Sequence, residues 1–151
     1  MGGNAFDPPA ESLMQNVQLD YSDLIGIPYG FREAGNAYDC FTIIAEIFHR
    51  LGWNYSIPVQ IREQIANGSI RIHDIDQDVW KSIPHCSQLG DVALIRGAGG
   101  ATAGEAAHCA VLVAPGLMLH ATSKLGVHTV RWKSVRPFIV KCIRYDRSLL
   151  Q

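Results

Sequence analysis

The first half of the chain carries apolar residues at helical spacing. These residues fall three or four positions apart, or directly beside such positions, so they form one stripe along a helix. The stripe consists of Phe41, Ile43, Ile44, Ile47, Phe48 and Leu51. Gly52 follows directly, and glycine favours the left-handed conformation that closes many helices. The pattern predicts a helix over residues 40–51, and we also expect shorter helices around 58–66 and 74–81.

The second half of the chain contains short apolar runs separated by turn-forming residues. Leu89-Gly90 precedes the first run, and Ala114-Pro115-Gly116 separates the second run from the third. The predicted strands are Asp91–Arg96, His108–Val113, Leu117–Ala121, Val127–Trp132 and Phe138–Tyr145. Helices followed by a meander of strands indicate an α+β fold. We assign one domain to residues 11–151 and interpret residues 1–10 as a flexible arm.

The composition is that of an ordinary globular protein. The chain has 151 residues, of which 48% are hydrophobic and 18% are charged, which is enough apolar material for a single core. The net charge of −1 gives no basic patch of the kind that binds nucleic acid or an anionic membrane. We therefore expect neither partner. We also expect no cofactor, and we assume a monomer.

The expected cellular route follows from two further features. No apolar run is long enough to span a bilayer, and the first residues lack the basic and apolar segments of a secretory signal. The four cysteines are not in CxxC spacing, and a chain with a full core does not need disulfides. We expect free thiols in a protein made in the cytoplasm.

Cys40 stands at the predicted start of the strongest helix. There a thiol meets the positive end of the helix dipole and unpaired backbone N–H groups. Both favour the thiolate, which is the nucleophilic form of cysteine. The alternative is a small residue of the core, because free cysteine is among the most buried residue types.

Two histidines supply the other groups of a candidate site. His108 begins an otherwise apolar strand, and His120 lies in the next strand beyond the turn at Pro115-Gly116. If these strands pair, His120 comes beside His108 and can fix the orientation and tautomer of its ring. Otherwise, His108 is an exposed residue at a strand start and His120 is packed in the sheet.

The remaining histidines and cysteines give weaker patterns. His73 and His128 have no obvious companion in the sequence, and Cys109 and Cys142 are interpreted as core residues. The pair His108-Cys109, like His85-Cys86, could indicate zinc. Adjacent residues on a strand point to opposite faces, however, and no ligand spacing supports tetrahedral binding. We predict no metal.

Several motifs resemble, in the same order, those of the NlpC family of murein peptidases. The family has a Gly-x-Pro-Tyr segment, an Asp-Cys pair about a dozen residues later, a Pro-Gly-Asp strand, a His-Val-Gly-Ile-Tyr strand and a Gly-x-x-Ile-His-Ala segment. The corresponding segments here are Gly26-Ile27-Pro28-Tyr29, Asp39-Cys40, Leu89-Gly90-Asp91, His108-Cys109-Ala110-Val111-Leu112 and Gly116-Leu117-Met118-Leu119-His120-Ala121. The resemblance extends over about residues 20–145.

This resemblance implies a fold, an activity and roles for five residues. The fold would be papain-like, with the nucleophile at a helix N-terminus packed on an antiparallel sheet of about five strands. Cys40 would be the nucleophile, His108 its base and His120 the orienting residue. Tyr29 would lie against the site, where its hydroxyl would help to hold either the nucleophile region or the oxyanion, and Asp39 would contact the substrate. The substrate would be a peptidoglycan stem peptide, cleaved at a D-glutamyl-diaminopimelate type of bond.

Departures from the family motifs leave alternatives open. Phe41-Thr42 replaces the usual Ser-Gly after the nucleophile, and Phe31-Arg32-Glu33 replaces a Gly-Gly. The connection over residues 53–88 resembles the phage-tail branch of the family. The alternatives are an inactive phage-tail or wall-binding module of the same fold, and an amidase or acyltransferase acting on another amide. Without a signal peptide, a protein acting on the wall would be virion-borne or exported by a non-classical route.

Overall fold

The protein is described here from a computed structural model. It describes residues 19–30, 37–53, 55, 70–71, 79–96, 105–106, 108–146 and 148. The arm at residues 1–10 and the expected helix at 58–66 lie outside these residues. So does the Phe31-Arg32-Glu33 departure from the family motif.

The main helix forms where the apolar stripe predicts it. Helix α1 spans Thr42–Arg50, and a second helix of one turn, α2, spans Trp132–Val135. Four residues of α1 are buried, namely Ile43, Ile44, Ile47 and Phe48. Full burial of each such side chain is worth about 1.5–3 kcal/mol, so one apolar face holds α1 against the sheet. After α1 the chain reverses at Gly52, whose φ of 85° is the left-handed conformation expected there.

The sheet contains the strands expected from the second half of the chain and one more. Two short strands, β1 (Ile70–Arg71) and β4 (Glu105–Ala106), pair with each other outside it. The strands of the main sheet are β2 (Trp80–Ile83), β3 (Val92–Ile95), β5 (His108–Ala114), β6 (Leu117–Thr122), β7 (Gly126–Arg131) and β8 (Ile139–Tyr145). Their order across this six-stranded antiparallel sheet is β2-β8-β3-β5-β6-β7. The described residues thus have an α+β architecture.

Alternation along the strands divides the buried residues between the two faces of the sheet. Along β5, Cys109 and Val111 belong to the cluster that includes the buried face of α1. Ala110 and Leu112 belong to a second cluster on the other face, which includes Val135 of α2. Because both faces are covered, β3 and β5 consist almost entirely of buried residues.

The additional strand β2 corrects one prediction. The sequence predicts a helix over residues 74–81, but this is wrong for its last two residues, because Trp80 and Lys81 lie in β2 and pair with β8. Residues 72–78 lie outside the described residues. Trp80 is directly opposite Tyr145, and its ring centroid lies 5.3 Å from that of Tyr145 and 5.9 Å from that of Phe48. This aromatic packing joins β2 to the end of α1 and favours a strand over the local helical pattern. In the portion of the chain that the structure describes, no helix is both long and apolar enough to cross a membrane.

Candidate active site

The start of α1 is built around the Asp39 carboxylate. Its Oδ1 accepts hydrogen bonds from the backbone N–H groups of Phe41 at 2.9 Å and Thr42 at 2.8 Å. In return, the Thr42 Oγ1 accepts from the Asp39 N–H at 2.8 Å. These reciprocal bonds form a capping box, and the Ile43 N–H already donates to the Asp39 carbonyl. Cys40 therefore occupies the first turn of helical hydrogen bonding, just ahead of the regular helix.

This capping gives Thr42 a structural role. Thr42 supplies the hydroxyl that receives the Asp39 N–H, a bond that glycine at this position could not make. Asp39 itself is only 2% exposed, and its Oδ1 is committed to the helix cap. The structure thus gives Asp39 a structural role that the sequence analysis did not anticipate. Its contact with the substrate stays a prediction.

The Cys40 thiol is enclosed, yet it is surrounded by groups that favour its charged form. Cys40 is 5% exposed. A hydrogen bond with the Cys109 side chain lowers the pKa of Cys40, burial opposes that shift, and interaction with His108 lowers the pKa further, to about 6. The Cys109 Sγ also lies 3.1 Å from the Cys40 carbonyl oxygen. Because a thiol has one hydrogen, Cys109 bonds at any moment either to this carbonyl oxygen or to the Cys40 thiolate, so the thiolate depends on both Cys109 and His108.

His108 and His120 are hydrogen-bonded to each other. His108 is the first residue of β5, and the neighbouring strand β6 brings the His120 Nδ1 to 2.7 Å from the His108 Nε2. With Nε2 engaged, Nδ1 is the His108 nitrogen that remains for the Cys40 thiol. Burial and the charges of His108 and His128 lower the pKa of His120 to about 3, so its ring is neutral near pH 7. The structure therefore brings together Cys40, His108 and His120, whose catalytic roles stay predictions.

A third histidine, His128, continues this series of hydrogen-bonded rings, and the sequence does not predict its place there. His128 lies directly opposite His120 in the β6–β7 pair, and their Nε2 atoms are 2.8 Å apart. The His128 Nδ1 is 3.0 Å from the carbonyl oxygen of Gly126. The turn between Thr122 and Gly126 could have revealed this arrangement, because antiparallel pairing about it places residues 120 and 128 face to face.

Tyr29 is held beside the site by an isolated β-bridge with Tyr38. In this bridge the Gly30 N–H donates to the Tyr38 carbonyl and the Tyr38 N–H donates to the Pro28 carbonyl, both at 3.1 Å. Tyr29 therefore sits next to the Asp39-Cys40 pair along this bridge. Burial first, and then the negative charges of Cys40 and Asp39, raise the pKa of the Tyr29 hydroxyl. It stays protonated near neutral pH and is a hydrogen-bond donor, as an oxyanion partner must be.

The other cysteines lie in the interior. Cys86, Cys109 and Cys142 are free and buried, as is Cys40. A hydrogen bond between the side chains of Cys86 and Cys142 raises the pKa of Cys86 and lowers that of Cys142. No group of three or more His, Cys, Asp or Glu side chains suited to a metal ion is found among the described residues.

A concavity elsewhere on the molecule does not involve the candidate site. It has a volume of ≈ 690 Å³ and is bordered by β2, β8 and the segment around α2. Its lining includes Cys142, Arg136 and Lys141, but not Cys40 or any of the three histidines described above. The case for chemistry at Cys40 therefore rests on the side-chain contacts there and not on the size of a pocket.

Comparison with known proteins finds no family model and no curated protein that matches this chain. Among solved structures, the chain is similar to a protein of Staphylococcus aureus subsp. aureus Mu50 whose structure is described as that of a "similar to lipoprotein" of the NLP/P60 family. The sequence identity is 17% and the TM-score is 0.47. The match covers 94% of this chain and 43% of that one, so this chain spans less than half the length of that protein. At this level of similarity, the likeness assigns neither an activity nor a site to the chain.

Proposed function

We propose that this chain is an NlpC-type cysteine hydrolase that cleaves an amide bond in peptidoglycan stem peptides. One observation carries the proposal: the Cys40 thiol, with a pKa lowered to about 6, interacts with His108, whose Nε2 is in turn bonded to His120. These contacts link a nucleophile, a base and an orienting group, which are the groups that covalent catalysis by a cysteine requires. A module that only binds has no need of a depressed thiol pKa.

The first half of the reaction forms a thioester. The Cys40 thiolate attacks the amide carbonyl carbon, a C–S bond forms, and the carbonyl electron pair moves to oxygen. As a first-turn residue, Cys40 has an N–H with no intrahelical acceptor, so this N–H and the Tyr29 hydroxyl are the donors for the oxyanion. His108 then gives its Nδ1 proton to the amide nitrogen, the C–N bond breaks and the amine leaves.

The second half returns the site to its resting state. The His108 Nδ1 takes a proton from water, and the resulting hydroxide adds to the thioester carbon. The C–S bond breaks, the acid is released, and Cys40 leaves as the thiolate beside a protonated His108. His120 accepts a hydrogen bond from the His108 Nε2–H throughout. The His108 ring therefore keeps the orientation needed both to give a proton to the leaving amine and to take one from water.

The choice of substrate is supported by the order of sequence motifs. The Gly-x-Pro-Tyr, Asp-Cys, His and His-Ala segments resemble those of the murein peptidases in their order along the chain. The D-glutamyl-diaminopimelate bond is the scissile bond that this resemblance implies. A phage-tail origin, with delivery by the virion, is the corresponding proposal for the route to the wall.

Digestion of purified peptidoglycan tests the proposal. Wild-type protein and Cys40→Ala are incubated with peptidoglycan sacculi, and the released fragments are identified by mass spectrometry. We expect new D-glutamyl carboxyl ends and free diaminopimelate amines with the wild type only. Fragments cut at a different amide would support the amidase alternative. Wild-type protein that binds sacculi without cutting them, and whose Cys40 titrates as an ordinary thiol, would support the inactive module and overturn the proposal.

A further inference from the structure

We propose that His128 is a positioning residue for the thiol–imidazole pair, setting the proton arrangement of His120 and, through it, that of His108. The inference rests on the proposed function, because it assigns a role within the same site. It starts from an uninterrupted series of hydrogen bonds. His108 Nε2 to His120 Nδ1 is 2.7 Å, His120 Nε2 to His128 Nε2 is 2.8 Å, and His128 Nδ1 to the Gly126 carbonyl oxygen is 3.0 Å.

The direction of these bonds follows from the one group in the series whose role is fixed. A carbonyl oxygen only accepts, so the His128 Nδ1 carries a hydrogen. In neutral His128 the Nε2 is then an acceptor, and the His120 Nε2 donates to it. The Nδ1 of a neutral His120 is left as an acceptor for the His108 Nε2–H. The backbone oxygen of Gly126 thereby determines which nitrogen of each ring carries the proton.

The opposite direction would disable the base. If the His128 Nε2 donated, the His120 Nε2 would accept and its Nδ1–H would point at the His108 Nε2. His108 could then not hold hydrogens on both nitrogens without placing two N–H groups against each other. The imidazolium that stabilises the Cys40 thiolate would be disfavoured.

The carbonyl that anchors the series is fixed by the fold. The Gly126–Val127 segment is clamped to the segment before Tyr29: the Val127 N–H donates to the Ile27 carbonyl, and the Gly26 N–H donates to the Val127 carbonyl, both at 2.8 Å. Gly126 has a φ of 69°, and a Cβ atom there would overlap the Ile27 carbonyl oxygen. This close approach sets the position of the Gly126 oxygen. These two hydrogen bonds, here called the clamp, also position the chain segment of Tyr29. The proposed oxyanion donor and the histidines are therefore fixed by the same backbone contacts.

Two substitutions separate positioning from simple packing. His128→Leu fills much of the same space but cannot accept from the His120 Nε2–H. In His128→Gln the amide oxygen can take that hydrogen bond, because the glutamine amide reaches the position of the ring Nε2. Thr129→Val serves as the control, since this neighbouring residue points to the other face of β7. Circular dichroism confirms folding of each variant.

The primary readout is alkylation of Cys40 by iodoacetamide as a function of pH, which needs no substrate. We expect His128→Leu to move the midpoint of the profile upward by about one pH unit, by analogy with metal-ligating histidines, for which loss of an outer hydrogen-bond partner costs about 10- to 100-fold. His128→Gln and Thr129→Val should retain the wild-type midpoint. On a cleaved peptide, kcat of His128→Leu should fall by about tenfold with KM unchanged. Nitrogen-15 NMR of the imidazoles should place the hydrogen of neutral His128 on Nδ1 and that of His120 on Nε2.

The outcomes distinguish this inference from the proposed function. If the alkylation profile shifts in His128→Leu but the wild type cuts no peptidoglycan, the role of His128 stands and the proposed reaction is overturned. A peptidoglycan hydrolase whose His128→Leu variant has the wild-type profile and rate would overturn the inference alone. Equal losses in His128→Leu and His128→Gln, or an Nε2–H tautomer at His128, would also overturn it.

Discussion

A thiol as enclosed as that of Cys40 is ordinarily inert, because burial disfavours the charged form. Here burial is outweighed by two neighbours: the Cys109 side chain and the His108 ring. Cys109 was predicted to be a core residue, and it is fully buried, but it also contacts the nucleophile. One buried thiol thus helps to make a second one acidic, an effect that the alternation of strand residues does not reveal.

The three residues of the proposed triad should differ in how much each contributes. Cys40→Ala should abolish hydrolysis, because it removes the acceptor of the acyl group. His108→Ala should be nearly as damaging, since the leaving amine then has no positioned acid. His120→Asn should be milder, because its amide oxygen lies near the position of the ring Nδ1 and can still accept from the His108 Nε2–H, and His120→Ala should fall between. The measurement is the rate on a cleaved murein peptide, with circular dichroism to confirm folding. A fully active His108→Ala variant would exclude His108 as the base.

At the level of secondary structure, the clamp between residues 26–27 and the start of β7 is what unites the two halves of the site. Cys40 lies just ahead of helix α1, and strands β5, β6 and β7 carry the histidines. The clamp links the chain segment of Tyr29 to the Gly126 carbonyl that anchors His128. Its geometry depends on a glycine at position 126, because any side chain there would meet the Ile27 backbone.

Two glycines with the same backbone conformation provide a matched test of this clamp. Gly116 and Gly126 both have a φ of 69°, but a Cβ at Gly116 would meet nothing within 4 Å. Gly116→Ala should cost only the backbone strain, about 1 kcal/mol. Gly126→Ala should cost about 1–3 kcal/mol more through the clash with Ile27. Urea denaturation measures both. Equal losses of stability would show that the close approach at Gly126 does not constrain the fold.

Across the whole molecule, an ion pair between a buried carboxylate and a partly exposed guanidinium connects the turn before β3 to the neighbouring strand β8. Asp91, which precedes β3, is 1% exposed and accepts from the Arg144 Nε at 2.7 Å and Nη2 at 2.8 Å. It also accepts from the backbone N–H groups of Ser87 and Gln88. The Gly-Asp segment noted in the sequence therefore has a structural role, in which the carboxylate fastens the turn before β3 to β8.

Removal of the cation from this pair should destabilise the protein strongly. Arg144→Leu leaves the Asp91 carboxylate buried without its charged partner, and we expect the lower end of the usual cost of about 3–5 kcal/mol, because the Arg144 side chain is 31% exposed and two backbone N–H groups still donate to Asp91. Lys81→Leu is the control, because Lys81 lies directly opposite Arg144 on β2 but pairs with Asp146 at 3.6 Å on the surface. We expect a large fall in the urea midpoint for Arg144→Leu and little change for the control. Similar effects in both variants would contradict a special role for the buried pair.

The sequence predicts much of this architecture, for identifiable physical reasons. Helix α1 and the strands β3, β5, β6, β7 and β8 follow from apolar periodicity, and the nearness of His108 and His120 follows from strand pairing about Gly116. Strand β2 was missed because its pairing with β8 is held by the aromatic contact of Trp80 with Tyr145, residues far apart in the chain. The helix cap at Asp39 and the position of His128 depend on local hydrogen bonds that hydrophobic patterning does not encode.

The proposal that Cys40 is an activated nucleophile is tested by following alkylation of all four cysteines of the native protein against pH. Peptide mass spectrometry identifies the modified residue at each time point. We predict that Cys40 reacts first and that its rate rises through a midpoint of about pH 6, above which the thiolate predominates. His108→Ala should move that midpoint upward, towards the ordinary thiol value of about 8.5. Earlier labelling of Cys86, Cys109 or Cys142, or a wild-type Cys40 with an ordinary thiol midpoint, would contradict the prediction.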